Sequence, residues 1–133
     1  MLTGSCHCGE VHWTYDGIPD RARACNCTVC RRYGAIWIYG FLDEQVNVRG
    51  TTKAYTRTGE FGGSLQMHFC GTCGCVAYWR AIDTDDSGRR MIGVNLRLSE
   101  PGEVSSIKVG RFDGLTSFKE APSDNRCISD YWF

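Results

Sequence analysis

Ser64-Leu65-Gln66-Met67-His68-Phe69-Cys70-Gly71-Thr72-Cys73-Gly74-Cys75-Val76-Ala77-Tyr78-Trp79 reads as a strand, a knuckle and a second strand. Leu65, Met67 and Phe69 alternate with polar residues, the period of a half-buried strand, and Val76 to Trp79 is a short run of strand formers. Cys70-x-x-Cys73 between them has the form of a zinc knuckle. A tight turn there aims backbone amides at the sulfurs, and Gly71 and Gly74 permit the backbone angles it needs. A hairpin closed by such a turn predicts a β protein whose fold is pinned by metal.

Outward from the knuckle, eight of the nine cysteines fall into three clusters, the other two being Cys6-His7-Cys8 and Cys25-Asn26-Cys27-Thr28-Val29-Cys30. Cysteines this close pair poorly as disulfides. They are well spaced to place thiolates on one ion at about 2.3 Å. Cys6 and Cys8 share a face of an extended segment, and like Cys70 and Cys73 they flank a predicted strand. One site from Cys6, Cys8, Cys70 and Cys73 would staple the N-terminal strand to the middle of the chain as a structural zinc. The trio Cys25, Cys27 and Cys30 differs. Three protein ligands plus water or substrate is the arrangement of a catalytic zinc, and an open site of this kind releases its metal more readily. Cys75 leaves two readings standing: a fourth ligand that closes the second site, or a small buried core residue.

The remaining segments predict an all-β domain spanning 1–133. Glu10 to Tyr15 alternates with Val11, Trp13 and Tyr15 inward, Ala35 to Phe41 looks buried on both faces, and Gln45 to Arg49 alternates again before Gly50. Met91 to Leu96 and Ile107 to Val109 complete the set, with turn residues about every ten positions. The single helical candidate is Thr28 to Tyr33. The string from Asp83 to Gly88 reads as a loop. From about Phe118 the chain looks like an irregular tail, 118–133, whose Tyr131, Trp132 and Phe133 are expected to dock on the body.

Fifteen basic residues balance 15 acidic ones, and bound thiolates would make the surface mildly acidic. Nucleic acid is therefore not expected as a partner, since phosphate binding needs clustered excess cations. No apolar run approaches the roughly 20 residues of a membrane helix, and Met1 to Cys6 lacks the pattern of a secretory signal. Nine cysteines without such a signal suggest metal binding in a reducing cytoplasm. Arg31-Arg32, directly after Cys30, is a candidate for an anionic ligand, whereas Arg89-Arg90 reads as solvated charge. His7, His12 and His68 fall at surface or supporting positions, and Asn26 and Thr28 are placed to tune nearby sulfurs.

Gly4-Ser5-Cys6-His7-Cys8-Gly9-Glu10-Val11, Cys25 to Arg32 and Phe69-Cys70-Gly71-Thr72-Cys73-Gly74 together resemble the glutathione-dependent formaldehyde-activating enzyme family, which also contains centromere protein V. The similarity runs over 2–112, with the three motifs in the family's order and spacing. The resemblance implies a β-tent of antiparallel sheets with structural zinc at Cys6, Cys8, Cys70 and Cys73. It implies a second, open zinc at Cys25, Cys27 and Cys30, and carbon–sulfur lyase chemistry on a glutathione–aldehyde adduct. Position 75, commonly serine in such proteins, is Cys75 here.

Two other functions compete. A non-catalytic, zinc-stabilised binding module would have two closed four-cysteine sites. Arg126-Cys127-Ile128-Ser129 resembles, over those few residues, the active-site stretch of B-type methionine sulfoxide reductases, with Cys127 as nucleophile. Oligomeric state is not legible in the sequence.

Overall fold

In a computed structural model that describes residues 1–58 and 63–131, two β-sheets pack around a shared core, with little helix. The smaller sheet holds β1 (Leu2–Ser5), β2 (His12–Tyr15) and β5 (Val46–Arg49) in the order β1-β2-β5. The larger has eight strands: β3 (Ala22–Cys25), β4 (Ile36–Phe41), β6 (Thr52–Thr56), β7 (Leu65–Cys70), β8 (Val76–Ala81), β9 (Met91–Asn95), β10 (Val109–Asp113) and β11 (Lys119–Glu120). Their order is β11-β10-β3-β4-β9-β8-β7-β6. Helix is confined to short pieces: α1 (Cys30–Tyr33), α2 (Pro101–Val104) and two 3₁₀ turns. This is the all-β tent the motifs imply. One pairing departs from the antiparallel expectation: β3 and β10 run parallel, with Phe112 opposite Cys25. No helix among the described residues is long and apolar enough to cross a membrane.

The alternation read in Glu10 to Tyr15 holds, since Val11, Trp13 and Tyr15 are all buried. β4 is buried on both faces, and the division of its residues positions the site. Ile36 and Ile38 enter the main core with Val11, Val46, Ile92 and Val94. Trp37 points the other way, into a second apolar cluster with Met67, Trp79, Cys27 and Cys30.

Several expectations need correction. The alternation puts His68 on the polar phase of its strand, yet it is buried, stacked on the Tyr78 ring at 4.6 Å and bonded through Nδ1 to Thr52 Oγ1 at 2.9 Å. The cause is that both faces of β7 are covered: Leu65, Met67 and Phe69 face the second apolar cluster, while His68 shares the other face with Cys70, beside Tyr78 in the main core. The extra residue in the pairing, Ala77, lies on β8, so the period of 2 in β7 is kept. Arg90 is not simply solvated, because it donates to the carbonyls of Ala81 and Ile82. Arg89 does lie outside, paired with Asp85 at 2.9 Å. The tail carries more order than its composition suggests. β11 pairs with β10, Ile128 is fully buried, and Tyr131 packs against the core. Trp132 and Phe133 lie outside the described residues.

Candidate metal centres and pocket

The first sulfur group sits where the two sheets meet. β1 ends at Ser5, and the turn after it carries Cys6 and Cys8; β7 ends in Cys70, and the knuckle adds Cys73. Gly74 takes φ +79°, a left-handed angle that a Cβ would oppose, and its N–H closes the turn on the Cys70 carbonyl at 3.0 Å. All four sulfurs lie within 4.8 Å of one another, with Cys6–Cys8 at 3.6 Å and Cys8–Cys70 at 3.5 Å. A tetrahedral ion with metal–sulfur bonds of about 2.3 Å sets its sulfurs about 3.8 Å apart, so the group fits a closed four-thiolate ion. Backbone amides support the charge: Val11 N–H donates to Cys6 Sγ at 3.2 Å and Thr72 N–H to Cys70 Sγ at 3.4 Å. The Cys73 thiol is held down at about 5, first by the amide of Cys75 and then by that of Cys8. Thr72 Oγ1 donates to Glu10 Oε2 at 2.7 Å, a second clasp between the same two segments.

Cys75 belongs here and not to the second group. Its sulfur accepts the His7 N–H and is hydrogen-bonded to Cys73, and it packs against the main core. The sequence reading of Cys75 as a fourth ligand to the trio therefore finds no geometry to support it. Cys127 belongs to neither group; its N–H caps onto Asp130 Oδ2 at 2.8 Å.

The second group forms where the parallel strands β3 and β10 end. Cys25 closes β3, Cys27 lies in the following turn, and Cys30 begins α1. Their sulfurs also lie within 4.8 Å of one another, and no fourth Cys, His, Asp or Glu joins them among the described residues. The donor set again fits a thiolate-binding ion. Cys27 N–H points at Cys25 Sγ and Cys30 N–H at Cys27 Sγ, each at 3.4 Å, while the buried indole N–H of Trp37 donates to Cys30 Sγ at 3.3 Å. Hydrogen bonding from Cys30, then from the amides of Cys27 and Gly114, draws the Cys25 thiol down to about 6. Cys30 is pushed up by the same contact with Cys25 and by burial, so without metal the pair keeps its proton on Cys30. Gly114 must be glycine, since a Cβ there would stand 2.8 Å from both Cys25 Sγ and Cys27 Cβ.

One face of this group opens into a cavity of about 380 Å³. Trp37, Met67 and Trp79 form its buried floor. Arg57 reaches in from beyond β6, with Nη2 on Thr28 Oγ1 at 3.3 Å and Nη1 4.0 Å from Cys27 Sγ. Arg23 forms part of the wall, ion-paired with Glu120 and stacked over Tyr39 and Phe112. Arg31 and Arg32 are both exposed. Arg31 borders a shallower cleft on the other side of Cys25, and Arg32 turns back to the Thr28 carbonyl at 2.6 Å. Asn26 braces the turn after β10 by donating to Asp113 Oδ1 at 3.1 Å. Sequence reasoning missed Arg23 although a signal existed: two residues before Cys25 on a strand, it must share that side chain's face. No sequence signal marked Arg57, 30 residues from its sulfur partner.

The fold and site define a strand-rich protein with a four-sulfur group between its sheets and a three-sulfur group on a pocket, each able to hold a metal ion. More narrowly, residues 1–123 match the profile of the glutathione-dependent formaldehyde-activating enzyme family, and the chain is a member of that family. It is also similar to a protein of Rhodobacter sphaeroides of known crystal structure, at 30% identity and a TM-score of 0.54, over 73% of this chain and 86% of that one.

Proposed function

We propose that this protein is a zinc enzyme that makes or breaks the carbon–sulfur bond of an adduct between glutathione, or a similar thiol, and an aldehyde. In this reading Cys6, Cys8, Cys70 and Cys73 hold a structural zinc, and Cys25, Cys27 and Cys30 hold the catalytic one. The observation that carries it is the open face of the trio, three sulfurs without a fourth ligand among the described residues, turned toward a cavity. Zinc bound there supplies a Lewis-acid charge for a thiolate sulfur or a polarised oxygen.

The chain's own residues do the rest. Trp37 holds Cys30 through its N–H, and the amides of Cys27 and Gly114 hold Cys25, so the trio keeps its shape as a ligand enters. Arg57 brings positive charge to the pocket beside Cys27 and Thr28 for a carboxylate of the thiol. Arg31, exposed across Cys25, serves a second carboxylate of a peptide thiol that runs over the rim, with Arg32 beside it on α1. The apolar floor excludes water, which strengthens these charge interactions. In the forward direction the thiolate sulfur attacks the aldehyde carbon, the carbon–sulfur bond forms, and the former carbonyl oxygen takes up the proton the thiol gave away. Breaking the adduct is the reverse.

The test is exchange spectroscopy by NMR on glutathione and formaldehyde with the zinc-loaded protein. Interconversion of free and hydroxymethylated glutathione is expected to accelerate, and Cys27→Ser is expected to abolish the acceleration while leaving the β circular-dichroism signal. An exchange rate identical with and without protein would refute the reading.

A further inference from the structure

The cavity beside the trio has an apolar floor that neither a one-carbon group nor a thiol carboxylate held at Arg57 would cover. A hydroxymethyl group adds one carbon and one oxygen to the thiol sulfur. Both would stay within reach of the sulfur cluster and touch almost none of a space of about 380 Å³. Pockets of this size suit ligands with a sizeable apolar body. Its floor is Trp37 and Met67, each 1% exposed, with Trp79 beside them.

Its lip is unusual. Phe118 and Met91 are among the few large apolar side chains the protein leaves exposed, at 59% and 48%, and both border this cavity. Phe118 sits at φ +56°, a left-handed angle that is costly for a bulky residue, fixed by its N–H on the Asp113 carbonyl at 2.8 Å. In that position its ring meets Phe112 edge-on at 5.0 Å. Strain spent on holding an aromatic ring at the mouth of an apolar cavity that starts at the sulfur trio points to a ligand that needs the ring.

Resting on the lyase-like reading above, we propose that the electrophile carries a bulky apolar group. The substrate is then the adduct of the thiol with an aromatic or long-chain aldehyde, whose apolar part lies on Trp37, Met67 and Trp79 under Phe118. The thiol sulfur stays at Cys25, Cys27 and Cys30, so the cavity begins where the new carbon–sulfur bond forms. The bond balance is unchanged: the sulfur–carbon bond forms, the carbonyl π pair moves to oxygen, and the thiol proton follows it, with no oxidant or reductant.

Binding separates this proposal from the reaction it rests on. Stable thioethers, S-methylglutathione and S-benzylglutathione, are titrated into the zinc-loaded protein, with the fluorescence of Trp37 and Trp79 as readout. Each buried methylene improves affinity roughly fourfold, so the benzyl compound is expected to bind at least tenfold tighter. Phe118→Ala, a change at an exposed position that spares the core, is expected to narrow that gap several-fold. Equal affinities for the two thioethers, or a gap untouched by Phe118→Ala, would overturn the proposal. A clear benzyl preference in a protein that turns over no adduct would uphold the apolar subsite and refute the lyase reading instead. In turnover, benzaldehyde or hexanal with glutathione is expected to exceed formaldehyde in kcat/KM, and a flat series would count against the proposal.

Discussion

At the scale of single residues, the sulfur trio is shaped by two groups outside it. Trp37 donates its indole N–H to Cys30 Sγ from a fully buried position. Trp37→Phe keeps most of the packing and removes the donor, so zinc affinity at the trio is expected to fall 10–100-fold, as for other outer-sphere partners. Competition with a chromophoric chelator measures this, and the first centre should not change. Gly114→Ala would drive a methyl group into Cys25 and Cys27 and is expected to cut bound zinc from two per chain toward one. Elemental analysis of the variant reads that directly. Glycine at 114 drew no attention in the sequence because its reason is a contact with cysteines 87 and 89 residues away. The cysteines themselves were legible, since metal ligation imposes short spacings that survive in one dimension.

At the scale of elements, the turn between β10 and β11 carries the site's outer wall. Asp113 accepts from the amides of Leu115, Thr116 and Ser117, from Ser117 Oγ and from Asn26 Nδ2, and these bonds hold its carboxyl well below the usual range. A carboxyl whose folded pKa is depressed stabilises the fold fully above its unfolded value of about 4, and loses that contribution as pH falls through the folded pKa. Asp113→Asn is therefore expected to lower the denaturation midpoint at pH 7, with the deficit relative to wild type shrinking below about pH 4. A deficit that stays constant into acid would contradict it. Elements were legible where apolar residues alternate, as in β2, β5 and β7, or run together, as in β4, β8 and β9. β6 was not, because Thr52 to Thr56 is an edge strand with little buried surface. β3 was not either, because Ala-Arg-Ala-Cys has no large apolar residue to mark its inner face. The burial of His68 could not be read, since nothing in β7 itself shows that its polar face is covered by Tyr78 and the main core.

At the scale of the whole molecule, the proposed reading gives the two sulfur groups separate tasks because they join different parts. The first links the small sheet to the β7–β8 hairpin across 62 residues, so a metal held there would stand between folded and open chain. The second lies at one end of the large sheet, where the trio's loop is already held by β3 and α1. Stepwise chelation is thus expected to remove the second zinc with the β signal intact and the first only as the protein unfolds, since structural thiolate zinc contributes on the order of 10 kcal/mol to folding. Joint loss in one step would argue against separate roles. The central claim is the division of the clustered cysteines into four, three and one spare. Zinc content measured together with alkylation of the native holoprotein, each modified cysteine located by mass spectrometry, tests it most directly. Two zinc ions with Cys75 and Cys127 both alkylated is the predicted result; two zinc ions with Cys75 protected and Cys127 alone modified would contradict it.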